Sequence, residues 1–526
     1  MNILANCANT KLIQYRKVQY FIGLVFLLIF VGGPVAAQQQ DYTVSYSLPE
    51  CNTSNSKVKI ISSNADWKDI NSSQYNIFCV KPGDYTGAGL ISITADGTSS
   101  SRRYIRYMSS NDGGEAPWNQ AADQRAIVEG LHLTGASWWV ISRITVTDPD
   151  FNSGLRYMLS LRENSDNNII ANVLVEKTPK SASYVGKGSD NNTFYANVFR
   201  TTQISSTESH CMFVNAGTEG DASSLQNVKN LKIIDNEFYN CAGDAIQFWT
   251  SNKENPSGDI AGLVVHGNDF YVTPDMYTNC TGSFSKSGMC SCSEGALDLK
   301  IGVKSSSPST SERLVINDNR MWGFRQADSS AKCSSLSDPG YAVALHKTES
   351  DFADIIGNFI FDSSSGVYTA GSADNVQVKS NLFYQVNSNQ TGGKRGVLEL
   401  GGKVGEISNN VVIESNIYLK ADGDNYTIQN NHFLNAGDWK TRNNGDLTTN
   451  SKVIDNYFYN TQPYDGNAVT QGNIVNASAE GVGQTHCFKI KRLTNPTNVC
   501  IDNADIPGAI GFGGSPPMPP SDLTVQ

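Results

Sequence analysis

Charge is scarce in this chain: only 17% of its 526 residues are Asp, Glu, Lys or Arg, and 50 acidic residues outnumber 40 basic ones. The formal net charge of −10 gives no general attraction for nucleic acid. The same field repels anionic polymers unless basic groups gather in one cleft. Long amphipathic helices are missing too, which argues against a helical bundle and against a doubly wound nucleotide-binding fold. Beyond residue 37 no segment approaches 18 consecutive apolar residues, so no membrane insertion of that part is expected. With 46 Gly and 17 Pro, both near average usage, the chain is neither collagen-like nor wholly disordered. What it has instead is Asn, punctuating short runs rich in Val, Ile, Phe and Tyr.

The N-terminus carries an address. Lys11, Arg16 and Lys17 precede an unbroken apolar run at residues 20–33, and Pro34, Val35, Ala36 and Ala37 supply the small residues of a cleavage site. This reads as a secretory signal peptide over residues 1–37, and a secreted protein, extracellular or periplasmic, is expected. Cleavage removes three positive charges, leaving 37 basic against 50 acidic residues and a balance of −13. It also removes Cys7, so eleven cysteines become ten, and an even number in an exported chain reads as disulfides. Cys51 with Cys79 and Cys487 with Cys500 are plausible staples, while Cys280, Cys290, Cys292 and Cys333 lie in irregular sequence.

One short phrase recurs along the chain: alternating apolar residues, an Asn, then another apolar pair. It appears around Asn172, Asn197, Asn236, Asn268, Asn319, Asn358, Asn381, Asn410, Asn431 and Asn456. Its nine intervals cover 284 residues, too little per unit for each to bury its own apolar face, so neighbours must stack. Apolar runs of strand length separated by single turn residues predict strands. At each bend the Asn is expected to adopt left-handed angles and to bond the coil above, giving an Asn ladder. This arrangement resembles the right-handed parallel β-helix of pectate-lyase-like proteins over about residues 100–465. The expected fold is therefore all-β, a single-stranded right-handed parallel β-helix with capped ends and disulfides.

A second strand column lies between the Asn bends, and alternate residues on it project outward. The outward set is Ser160, Arg162, Asn215, Gln247, Trp249, Asp298, Lys300, Ala344, His346, Tyr368, Glu399 and Lys420. It predicts an exposed polar and aromatic strip on which an extended polymer can lie. Ile246 and Leu297 are 51 residues apart and Leu297 and Val343 are 46 apart, where a plain coil needs 20 to 31. Extra loops, at roughly 273–293 and 325–340, therefore flank the Lys300 strand and predict a cleft there.

The strongest constellation is EGALDLK at 294–300, with Asp244 one coil away. Asp298 and Lys300 point outward on one face, and Trp249 and His346 are expected on either side of Lys300. A lysine beside an aromatic ring and a second titratable cation can lose its proton near neutral pH and take the acidic proton beside a uronate carboxyl group. Asp244, Glu294 and Asp298 offer hard oxygen ligands for Ca²⁺, which would acidify that proton. The phrase resembles polysaccharide lyases of the β-helix class, families six and nine, and the resemblance implies Lys300 as base and Asp244, Glu294 and Asp298 as Ca²⁺ ligands. The family-six pattern has an arginine one coil beyond the lysine; here His346 stands there, and Arg325 is the other basic candidate. Gln247, Trp249, Arg162, Asn215 and Glu399 are the expected substrate-binding residues.

Two further functions remain open on this scaffold. A glycoside hydrolase would use two of Asp244, Glu294, Asp298 and Glu399 as acid and base. A non-catalytic glycan-binding surface protein or adhesin is the other. The Gly-His-Gly of polygalacturonase-type hydrolases and the Asp-Pro-His of alginate epimerases are absent, Asp148-Pro149 being followed by Asp150. An acidic polymer demands that Arg102, Arg103, Arg106, Arg162, Lys300, Lys347 or Arg395 concentrate near the groove. Residues 38–100 read as an N-terminal cap and the start of the coil, with a short helix in DWKDIN. The β-helix is expected over 101–465, a C-terminal cap over 466–510 and a flexible Gly-Pro-rich tail over 511–526. The partner is a polysaccharide and the protein is expected to act as a monomer.

Overall fold

Runs of three to six residues with apolar side chains at alternate positions stay buried only when other runs stack beside them. In a computed structural model of the protein they do so in three long, all-parallel sheets of 15, 14 and 10 strands. The structure describes residues 42–501 apart from 109–115, 187, 203–208, 218–226, 251–257, 274–294, 325–339, 346–351, 370–374, 387–395, 401–403, 420–424, 435, 442–446, 448, 460, 464–465, 476–485 and 491–496. From Leu90–Ile93 to Leu398–Leu400 each coil visits the ten-stranded sheet, then the fifteen-stranded one, then the fourteen-stranded one; beyond them Asn416–Leu419 and Gly437–Thr441 pair as a separate two-stranded sheet. Tyr157–Arg162, Ile169–Ala171 and Leu174–Thr178 make one coil; Ser181–Gly186, Thr193–Tyr195 and Val198–Thr202 make the next. This is the expected right-handed parallel β-helix.

The parallel ladders start at Val58–Ile61, within the segment expected to begin the coil, and end at Val469–Gln471 and Ile474–Val475, past the expected limit of 465. The last coil is short but keeps the ladder, Asn473 Oδ1 accepting from Asn456 N–H at 2.9 Å. Inside, Leu161, Val185, Val214, Phe248, Leu299 and Leu345 follow one another in register, all fully buried. Each such side chain contributes about 1.5–3 kcal/mol by leaving water. Phe199, Phe238 and Phe270 stack at 4.9 and 5.1 Å in the same core.

The Asn ladder is present, with one correction to its mechanics. Asn268 Oδ1 accepts from both the backbone N–H (2.8 Å) and the Nδ2 (3.0 Å) of Asn236, and its own Nδ2 donates to Ile233 O. The pattern repeats from Asn197 through Asn456. The left-handed residue is the one before each ladder Asn, for example Ala196, Asp235, Asp318 and Ser380. The ladder amide points into the coil, so its neighbour makes the turn. Asn172, with φ 55°, occupies that turning position, and Val173 N–H donates to Asn197 Oδ1 instead. Asn172 is therefore a bend residue outside the ladder.

A second, shorter ladder holds the bend between the ten- and fifteen-stranded sheets. Trp139 N–H donates to Asn168 Oδ1 and Asn168 N–H to Asn192 Oδ1, at 2.8 and 2.9 Å. Its sequence signal is the phrase SDNN, present at both 165–168 and 189–192. At the N-terminal end a 3-10 helix, Asn64–Asp69, buries Trp67 against the core and is closed by a capping box between Ser63 and Asp66. Cys51 and Cys79 form the expected disulfide, and Cys211 bonds Cys241, a pair the spacing did not suggest. His486–Ile490 and Thr497–Ile501 form an antiparallel hairpin whose register sets Cys487 opposite Cys500.

Candidate functional site

The ten-stranded sheet carries the candidate residues, because its outward positions fall into straight rows. In one row Ser160, Tyr184, Phe213, Gln247, Asp298, Ala344, Tyr368 and Glu399 succeed one another. Tyr184 belongs to Ser181–Gly186, a coil that the sequence-based column leaves out. Beside this row, Gly186 pairs with Asn215 and Asn215 with Trp249. Arg162 precedes Gly186 in that second row, since Leu161 pairs with Val185, and Lys300 follows Trp249, since Phe248 pairs with Leu299.

The strip is recessed, which corrects the expectation of an exposed one. Ser160, Asn215, Gln247, Asp298 and Ala344 are buried, and Arg162, Trp249 and Lys300 are half-buried. Outward rings shield one another and the short side chains between them. Tyr157, Tyr184 and Phe213 form a cluster with centroids 4.5 and 6.1 Å apart, and Trp249 packs against it 6.0 Å from Phe213. Tyr341 and Tyr368 form a second pair at 5.1 Å on the other side of the Asp298 strand.

Between the two aromatic groups lies a polar cluster built from three successive coils. Lys300 Nζ is 2.8 Å from Asp298 Oδ2. Gln247 Nε2 donates to Asp298 Oδ2 and to Asp244 Oδ2, at 3.2 Å each, so those two oxygens are no more than twice that distance apart. Asp244 N–H donates to His210 Nδ1 at 3.1 Å. That bond occupies the Nδ1 lone pair, so the neutral ring carries its proton on Nε2. Burial, reinforced by the Lys300 ammonium and opposed by Asp298, pushes the His210 imidazole down to about 3. The 3.5 Å contact of Nδ1 with Asp244 Oδ2 is thus a contact of a neutral ring, not an ion pair. Gly243 permits this approach, because a Cβ there would stand 3.0 Å from His210 Nδ1.

The cluster therefore unites Asp244, Gln247, Asp298 and Lys300 of the expected residues. His210, Tyr157, Tyr184 and Phe213 were not expected. Aligning HCMFVN (210–215) with the following coil puts His210 opposite Asp244, a signal available in the sequence. Asn215 is buried with its Oδ1 accepting from Gly217 N–H. Register sets Glu399 beside Tyr368. Glu294, Arg325, His346 and Lys420 lie outside the described residues, as do most of the two inserted loops.

Among the described residues no group of three His, Cys, Asp or Glu side chains could hold a metal ion. Asp244 and Asp298 do meet, but an amide nitrogen lies between them and an ammonium lies on Asp298, so the described donors do not fit a calcium cage. Arg102, Arg103 and Arg106 do not gather at this sheet. They bond backbone carbonyls of Asn167, of Ile70 and Ser72, and of Pro49 respectively, and Arg103 and Arg106 belong to the fifteen-stranded sheet.

No protein-family model matches the chain, and no curated protein is similar to it in sequence. Solved structures similar in shape include an alginate lyase from Paenibacillus sp. str. FPU-7, at 10% identity and a TM-score of 0.32, covering 80% of this chain and 99% of that one. A mannuronic acid-specific family 6 lyase from human gut microbiota shares 12% identity at a TM-score of 0.39, covering 79% and 83%. The catalytic domain of a GH87 alpha-1,3-glucanase shares 10% identity at 0.41, covering 82% and 68%. Likeness this distant decides neither chemistry nor substrate.

Proposed function

We propose that the chain is an exported polysaccharide lyase, cleaving a uronate-containing polymer by β-elimination with Lys300 as base. The observation that carries this reading is the unequal access of the clustered groups. His210 and Asp244 are each 1% exposed and the Asp298 side chain 8%, whereas the Lys300 side chain is 22% exposed. Lys300 is thus the titratable group of the described cluster that a polymer in the strip can touch. In its unprotonated form, reached by giving up the proton that pairs it with Asp298, the Lys300 amine would take the proton from the carbon bearing the uronate carboxyl. The electron pair would form the carbon–carbon double bond, and the bond to the leaving sugar oxygen would break. The new ammonium would be stabilised by Asp298 at 2.8 Å, and the leaving oxygen would be protonated by His346 or Arg325.

The test is ultraviolet absorbance on mixing residues 38–526 with a panel of uronate polysaccharides. A rising signal from unsaturated product is expected, and Lys300→Ala should abolish it while leaving the circular dichroism and melting of the protein unchanged. A Lys300→Ala variant that retains the signal would sink the assignment. The second reading, a glycoside hydrolase, is favoured by the proximity of Asp244 and Asp298, which suits a carboxylate pair. The sealing of Asp244 weighs against it. New reducing ends without unsaturated product would establish that reading instead.

A further inference from the structure

Arg162 stands out among the arginines. Arg125, Arg200, Arg313 and Arg320 are each tied to a carboxylate. Arg162 has no hydrogen-bond partner for its buried Nε and no carboxylate beside it among the described residues. Its guanidinium lies 5.3 Å from the Tyr184 ring centroid and 6.0 Å from that of Tyr157. The rings lie within cation–π distance of the planar group and hold it still at little entropic cost, leaving the partly exposed end of the side chain open to a ligand. No described carboxylate neutralises this half-buried cation, so an anion that reaches it would gain a charge-assisted contact without displacing an ion pair.

Its position tells which anion. Arg162 and Lys300 occupy one outward row, with Gly186, Asn215 and Trp249 between them. Four coil steps of about 4.8 Å separate the two cations by roughly 19 Å along the helix axis. A polymer lying along the row with an acidic sugar at Lys300 presents another acidic sugar several units away, at Arg162. We propose that Arg162 binds the carboxylate of a distal uronate unit, so that the protein selects long acidic oligosaccharides over short or neutral ones. The Tyr157 and Tyr184 rings are positioning groups for that guanidinium. The inference rests on the reading of Lys300 as the reactive end of the row.

Calorimetric titration of the full chain tests it, using oligogalacturonates and oligomannuronates from disaccharide to octasaccharide, with neutral cello-oligosaccharides of the same lengths. Affinity of the wild type should rise with the length of the acidic oligomers. Arg162→Gln should lose about tenfold for the longest acidic oligomers, the size of one charge-assisted hydrogen bond, and nothing for the disaccharide. Arg162→Lys keeps the charge without the flat fork and should fall between the two. Equal melting temperatures of both variants show that folding is intact. Long acidic oligomers binding Arg162→Gln as tightly as the wild type, or neutral ones binding the wild type equally well, would overturn the inference. Turnover separates the two readings: Arg162-dependent binding without any unsaturated product rejects the lyase and leaves the anion site standing.

Discussion

His210 shows how much a single buried group can say. Held neutral by its surroundings at about 3, it would take a proton in the unfolded chain at roughly pH 6.5. Between those values the unfolded state binds one more proton than the native state, so stability rises with pH across the window and is lost as pH falls through it. The loss is on the order of a few kcal/mol and ends near pH 3, where both states bind the proton. The melting temperature of the wild type should therefore drop between pH 7 and pH 4, and the drop should be shallower in His210→Gln. Equal slopes would show that the imidazole is charged in the folded protein. At this scale Asp298 and Lys300 were legible because two residues on a strand must share a face. The state of His210 was not, because it depends on a backbone N–H one coil away.

The element that makes the fold is the ladder bend. Asn268 satisfies the backbone N–H and side-chain amide of Asn236 and the carbonyl of Ile233. Asn268→Ala would strand these buried groups, and a loss of about 3 kcal/mol or more is expected in urea unfolding. Asn172→Gly should cost well under that, since Asn172 makes the turn and one part-buried hydrogen bond from Nδ2 to Tyr46 Oη, and glycine adopts its φ of 55° freely. Similar losses in the two variants would refute the distinction between ladder and bend. The ten-fold recurrence of Asn was plain in the sequence. The identity of the residue that turns was not, because Asn172 and Asn197 stand in near-identical phrases offset by one residue. The Cys211–Cys241 bond escaped for a related reason: its partners sit at opposite ends of the bend between the fourteen- and ten-stranded sheets in neighbouring coils, so they share no position in the repeat.

For the molecule as a whole, stacking turns distant segments into one surface. The strip runs along the helix axis because ten successive coils each contribute one strand to the same sheet, and its two aromatic groups bracket the polar cluster. The described carboxylates are already engaged by Gln247 and Lys300, so the proposed elimination should persist in chelator. Loss of the ultraviolet signal on adding EDTA, with recovery on adding Ca²⁺, would show that groups such as Glu294 complete a metal site.

The sequence by itself determined that the chain coils, because a repeat too small to bury its own face has to stack and its period is local. It also determined which side chains leave the strands outward. Only the tertiary structure decided which of those side chains meet and how far they are sealed. Contacts along the strip join residues from 24 to 51 positions apart, across coils of unequal length, and each insertion shifts that count. Burial of Asp244 beside an accessible Lys300, and of Arg162 against two tyrosines, follows from that vertical register and from nothing shorter.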